Sequence, residues 1–139
     1  MEELRRYLTG LGACDLKWDV DSLESAIRMM FTPQGREFCI QAKFPTLSFL
    51  RKHKKELNAI PGVFIDKGFA ETHEHNVIAA GDTTLSVIAD KPDAIYKPIA
   101  IGLASIVIHA SNYAVVTATD IYGEIEQYND GTAKITIER

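Results

Sequence analysis

Residues 104–137 constrain the fold more than any other part of the chain, because one pattern of side-chain sizes returns there at a fixed interval. Four successive segments set mostly small or branched residues at alternate positions: Ala104, Ile106, Ile108; Ala114, Val116, Ala118; Gly123, Ile125, Gln127; and Ala133, Ile135, Ile137. Between them stand mostly polar residues, Ser105, His109, Thr117, Thr119, Glu124, Glu126, Lys134, Thr136 and Glu138. A period of two marks strands with one buried face, here the face that carries the small and branched set. Ala104 and Gly123 are nineteen residues apart, as are Ala114 and Ala133, Ile106 and Ile125, and Val116 and Ile135.

That offset separates two architectures. An antiparallel meander or sandwich reverses each successive strand and sets the small start of one against the end of the next, with Asn129-Asp130-Gly131 as a fair hairpin turn. A β-solenoid winds one way, so turns of about nineteen residues stack small on small and branched on branched, about 4.8 Å apart. The order of sizes favours the solenoid, with the meander or sandwich as the alternative. Upstream the pattern is fainter, with Leu85 and Val87 after Thr83, and Tyr96, Ile99 and Ile101 around Pro98.

Before Val63 the period is that of helices. Residues 2–8 read as a short helix stopped at Thr9-Gly10. Asp21 or Ser22 can cap a helix in which Leu23, Ala26, Ile27 and Met30 form one apolar stripe. Thr32-Pro33 begins another, with Phe38 and Cys39 on its inner side, since Thr caps well and Pro suits the first helical position. Pro45-Thr46 opens a third over residues 46–60, with Leu47, Leu50, Leu57 and Ile60 inward and Phe49 and His53 beside them, ended by Pro61-Gly62. The expected fold is therefore α+β: a short N-terminal helical cluster, residues 1–62, capping a C-terminal single-stranded β-solenoid, residues 63–139.

A net charge of −4 argues against nonspecific wrapping of DNA or an anionic membrane. The acidic start of the chain lacks the apolar core of a signal peptide, and no eighteen-residue apolar run occurs, so a cytoplasmic location, or incorporation into a virion assembled in the cytoplasm, is expected. Cys14 and Cys39 form no C-x-x-C pair and are read as reduced and buried, although the sequence leaves their pairing open.

Candidate chemistry is sparse. In the segment Glu71-Thr-His-Glu-His-Asn76, His73 and His75 would face the same way on a strand and, with Asp66 nearby, form the most metal-like set; a solvated loop is the plainer reading. Arg51, Lys52, Lys54 and Lys55 concentrate positive charge on one helix, where they could contact phosphates, although no interleaved aromatics offer base stacking. Cys39 and His53 could serve as thiol and base, but Phe38, Ile40 and Phe44 around the cysteine point to burial. Gly10-Leu11-Gly12 lacks the context of a dinucleotide fingerprint, Ser105 and Ser111 have no paired base, and Trp18 is read as packing on the helices. No cofactor is expected.

At residues 32–39 (TPQGREFC), 44–57 (FPTLSFLRKHKKEL), 63–68 (VFIDKG), 112–116 (NYAVV) and 129–133 (NDGTA), the chain resembles a group of small uncharacterised proteins of gut Bacteroidales, their phages and mobile elements. The likeness spans most of residues 20–139 and implies a helical segment followed by a repetitive β tail, in a phage-related or mobile-element setting. It transfers no catalytic residue.

The function expected from these readings is a non-enzymatic structural or protein-interaction module. It would bind a protein partner or a second copy of itself through the β flank or the open C-terminal end, without a membrane or nucleic acid. The alternatives are a small metal-dependent hydrolase using His73, His75 and Asp66, and a nucleic-acid or nucleotide binder using Arg51, Lys52, Lys54 and Lys55.

Overall fold

The computed structural model describes residues 22–139. The helix expected over residues 2–8, the capping role of Asp21, the glycine pair Gly10 and Gly12, Cys14 and Trp18 lie outside the described residues. The chain divides into two compact units, Met1–Phe44 and Pro45–Arg139.

In the first unit, α1 (Leu23–Met30) starts at Ser22 in a reciprocal capping box: the Ser22 hydroxyl accepts from the Ser25 N–H at 3.1 Å, and the Ser25 hydroxyl accepts from the Ser22 N–H at 3.2 Å. Its stripe of Leu23, Ala26, Ile27 and Met30 is buried, as their spacing requires. α2 (Pro33–Ala42) begins behind Thr32, whose hydroxyl accepts from the Gly35 N–H at 3.0 Å, and ends at Lys43 in the left-handed region. The two helices pack together, and Phe38 meets Phe44 with ring centroids 6.0 Å apart.

The second unit opens with α3 (Leu47–Lys52) and α4 (Lys54–Leu57). The sequence suggests one helix here, but His53 leaves the helical region and its N–H bonds back to Leu50 at 3.2 Å, an i to i−3 tightening that bends the segment. Leu50 and Leu57 stay buried on either side of the bend.

Nine strands follow: β1 (Val63–Ile65), β2 (Gly68–Thr72), β3 (Asn76–Ala80), β4 (Thr83–Ala89), β5 (Ile95–Ile101), β6 (Ser105–Ala110), β7 (Val115–Ile121), β8 (Glu124–Asn129) and β9 (Lys134–Glu138). Odd strands form a five-stranded sheet in the order β1-β3-β5-β7-β9, and even strands a four-stranded sheet in the order β2-β4-β6-β8. Every pair in both sheets is parallel, so the chain winds one way through about four turns and the meander is excluded. Asn129-Asp130-Gly131 is accordingly a corner between the two sheets and not a hairpin.

The nineteen-residue step holds in the last turns, where Ile106 pairs with Ile125 and Val116 with Ile135. Earlier turns differ: Val63 lies beside Ile78, fifteen residues on, and Ile78 beside Ile99, twenty-one on. Between the sheets runs one core of Val77, Ala79, Leu85, Val87, Tyr96, Ala100, Ala104, Ile106, Ile108, Ala114, Val116 and Ala118. Gly123 is needed in it, because a methyl group there would stand 2.7 Å from the Ala100 Cβ. Gln127 continues the inward column under Ile108 but is exposed on the last strand of its sheet.

The outer face of the five-stranded sheet differs from the expected polar flank. Ile65, Ile78, Ile99 and Ile101 are buried there, and so is Thr119, read from the sequence as outward and polar. Leu47 of α3 packs against the corner at Gly102, where a methyl group would come within 3.2 Å of the Leu47 Cβ. Pro98 also stands in the middle strand of this sheet; the β5–β7 pairing lapses at Lys97 and Pro98 and resumes at Ile99, because proline has no N–H to give.

The two kinds of corner are unequal. From the five-stranded to the four-stranded sheet the chain turns in two or three residues, each corner holding a left-handed residue: Asp66, Gly81, Leu103 and Tyr122. Return corners run three to five residues, from His73–His75 to Asp90–Ala94.

At its first edge the coil is closed by a side chain. The Asn58 amide donates to the Ile65 C=O at 3.0 Å and its oxygen accepts from the Ile65 N–H at 2.8 Å, as a neighbouring strand would. Asn58→Ala should cost about 1–3 kcal/mol by chemical denaturation and speed hydrogen exchange at the Ile65 amide. Ile106→Ala, at the centre of the stacked core, should cost about 2–5 kcal/mol, whereas Val107→Ala on the outward face should change stability by less than about 1 kcal/mol.

Candidate functional site

The most connected polar group in the second unit is Asp66, at the first corner of the coil, with φ 54°. Its two carboxylate oxygens accept from Arg51 Nε (3.0 Å) and Nη2 (2.9 Å), from Lys54 Nζ (3.0 Å) and from the Asp82 N–H (2.8 Å). The fork-shaped guanidinium bond holds the Asp66 carboxyl well below the usual carboxylate range; the Asp82 N–H and Lys54 add to this, against the opposing effect of partial burial. Gly81 gives the carboxylate room, because a methyl group there would overlap it. Asp66 thus ties α3, α4 and two successive corners into one clamp.

This geometry reassigns much of the basic helix. Arg51 and Lys54 face Asp66, and Arg51 also reaches Asp82 at 3.7 Å, so two of the four cations read as phosphate contacts serve the cap of the coil. Lys52 and Lys55 are exposed.

His73 and His75 lie in the corner between β2 and β3 and not on a strand, so the alternation that would aim both at one ion does not operate. They line an open depression of about 350 Å³ with Glu71, Thr72 and Glu74. The His75 ring meets Tyr96 edge-on with centroids 4.7 Å apart. Asp66 stands at the other end of β2, bound to Arg51 and Lys54, and is not brought to the histidines. Among the described residues, no three side chains of His, Cys, Asp or Glu converge as a metal site.

Cys39 is 0% exposed, and burial pushes its thiol up to about 12, the reverse of what a nucleophile needs. His53 packs instead against Phe49, with ring centroids 4.9 Å apart.

The surface feature that sequence reasoning missed is a ridge at the tight corners. Leu103 (φ 68°) and Tyr122 (φ 62°) occupy equivalent places on successive turns, joined by a Leu103 N–H to Tyr122 C=O bond of 3.2 Å. They are 72% and 73% exposed. Left-handed backbone brings Cβ close to the following carbonyl oxygen and costs an L-residue about 1–2 kcal/mol, and glycine, asparagine or aspartate usually occupies such positions. The signal was present: both residues adjoin a glycine, and both obey the nineteen-residue step. Tyr113 (φ 62°, 68% exposed) repeats the feature at a return corner. Elsewhere on the surface, His109 stacks on Tyr128 (5.5 Å, 12°), and Phe69 on β2 is 91% exposed.

The Asp66 clamp sets a pH dependence. Its folded-state pKa is depressed, so its contribution is whole above the ordinary value of 3.8 and is lost progressively as the pH falls from there towards the lower folded-state value. In denaturation at a series of pH values, wild type should exceed Asp66→Asn in stability at neutral pH, and the gap should close in acid only below the ordinary carboxylate range.

No protein-family model, curated protein or solved structure matches this chain.

Proposed function

We propose that the chain is a non-enzymatic structural or protein-interaction module. In this reading the coil is a rigid support for side chains that a partner protein recognises, in a phage-related or mobile-element setting, within the cytoplasm or a particle assembled there. The observation that carries the proposal is the corner ridge: a leucine and a tyrosine held in backbone that disfavours them and turned mostly to solvent. Strain of this kind persists where the rest of the fold over-determines it, and concentrates where function needs it. Tyrosine is enriched among the residues that carry binding energy at protein interfaces, and side chains on a preorganised backbone lose little entropy on binding.

The test uses a double variant, Leu103→Asn with Tyr122→Asn. Relief of left-handed strain should raise stability by about 1 kcal/mol or more, while a photo-crosslinking residue at position 122 of the otherwise native chain should trap one discrete partner in the source cells. Stability that falls in the double variant, or labelling at 122 no different from labelling at an exposed control such as Lys91, would remove the support for this reading.

A further inference from the structure

We propose that β9 is the dimer interface of this protein: its outer edge pairs with β9 of a second copy, antiparallel and centred on Thr136. On its inner side β9 bonds to β7, and the Lys134 N–H gives 3.0 Å to the Ala114 C=O. Backbone groups alternate along a strand, so the N–H and C=O of Ile135 and of Ile137 point to the other edge, where no strand lies among the described residues. A two-fold axis through Thr136 sets Ile135 against Ile137 of the second copy, and reciprocally. These are the positions that exchange paired hydrogen bonds in an antiparallel ladder.

The side chains obey the same symmetry. In the sequence Lys134-Ile-Thr-Ile-Glu138, inversion about the middle residue places Lys134 opposite Glu138 of the copy, isoleucine opposite isoleucine, and Thr136 opposite itself. Opposite charges and Thr–Thr pairs are favourable directly across an antiparallel ladder. Laid in the same direction, two β9 strands would oppose lysine to lysine and glutamate to glutamate. Ile135 and Ile137, both half-buried at the end of the core, would gain cover from their counterparts.

Asn58 excludes the head-to-tail alternative in this sheet. It occupies the Ile65 N–H and C=O on the first strand, so β9 of one molecule cannot continue into β1 of the next. The association therefore closes as a pair instead of growing as a filament.

Sedimentation of the 139-residue chain across a dilution series should show a reversible monomer–dimer equilibrium. Lys134→Glu, which opposes like charges at both ends of the ladder, should weaken the dimer about tenfold or more, and Lys134→Glu with Glu138→Lys should restore it. Thr136→Cys should form a covalent dimer through that residue under mild oxidation. A chain that stays monomeric at all concentrations, or a dimer indifferent to Lys134→Glu, would overturn the assignment, as would failure of the charge-swapped variant, shown folded by circular dichroism, to recover. The inference stands apart from the corner ridge. Leu103→Asn with Tyr122→Asn should leave the dimer intact, and Lys134→Glu should leave labelling at position 122 intact, so either can fail alone.

Discussion

Everything in the coil depends on the vertical stacking of inward side chains. A parallel rung has no freedom to choose its own core: what it turns inward must fit the residue beneath it, in a space set by one strand spacing. Ala100 lies beside Gly123 so closely that no Cβ fits there, while Ile106 over Ile125 and Val116 over Ile135 keep branched surfaces together. The winding direction follows from this matching, since reversing a rung such as Ala104-Ile106-Ile108 would set its small start against the larger end of its neighbour.

A coil built this way leaves its polar backbone unpaired at its ends, and the chain treats the first end with side-chain chemistry. Asn58 satisfies the edge of β1 as a strand would. Immediately after β1, in the first corner, Asp66 accepts from two cations of the bent helical segment and from the Asp82 N–H. The bend at His53 and the clamp belong together: Arg51 before the bend and Lys54 after it converge on one carboxylate. The α3–α4 segment is thus fastened to the coil at named atoms.

Legibility from sequence followed burial. Where a strand buries one face, as in β6 and β7, alternation was plain and the step between turns could be counted. In β3 and β5 both faces of the sheet are apolar along Ile78, Ala80, Ile99 and Ile101, so the period disappears into a continuous apolar run. The step also changes, from fifteen to twenty-one residues, in these same turns. Helix starts were readable at Ser22, Thr32 and Thr46 because a cap is a local bond between a side chain and an N–H a few residues on. The role of Arg51 was not, since its partner lies fifteen residues away across a corner. For His73 and His75 the plainer reading, a loop, is the one the fold shows: H-x-H aims both rings one way only on a strand, and β2 ends at Thr72.

The unequal corners bear on how such a chain can change. Corners that turn within two or three residues each hold a left-handed residue and bond to neighbouring rungs, so they leave little room for added chain. Return corners already differ in length, and Lys91, Pro92 and Asp93 project into solvent from the longest of them. Genetic length variation, or a grafted peptide, has its natural seat on that side, where the chain can lengthen its loops while the wall of stacked strands keeps its count.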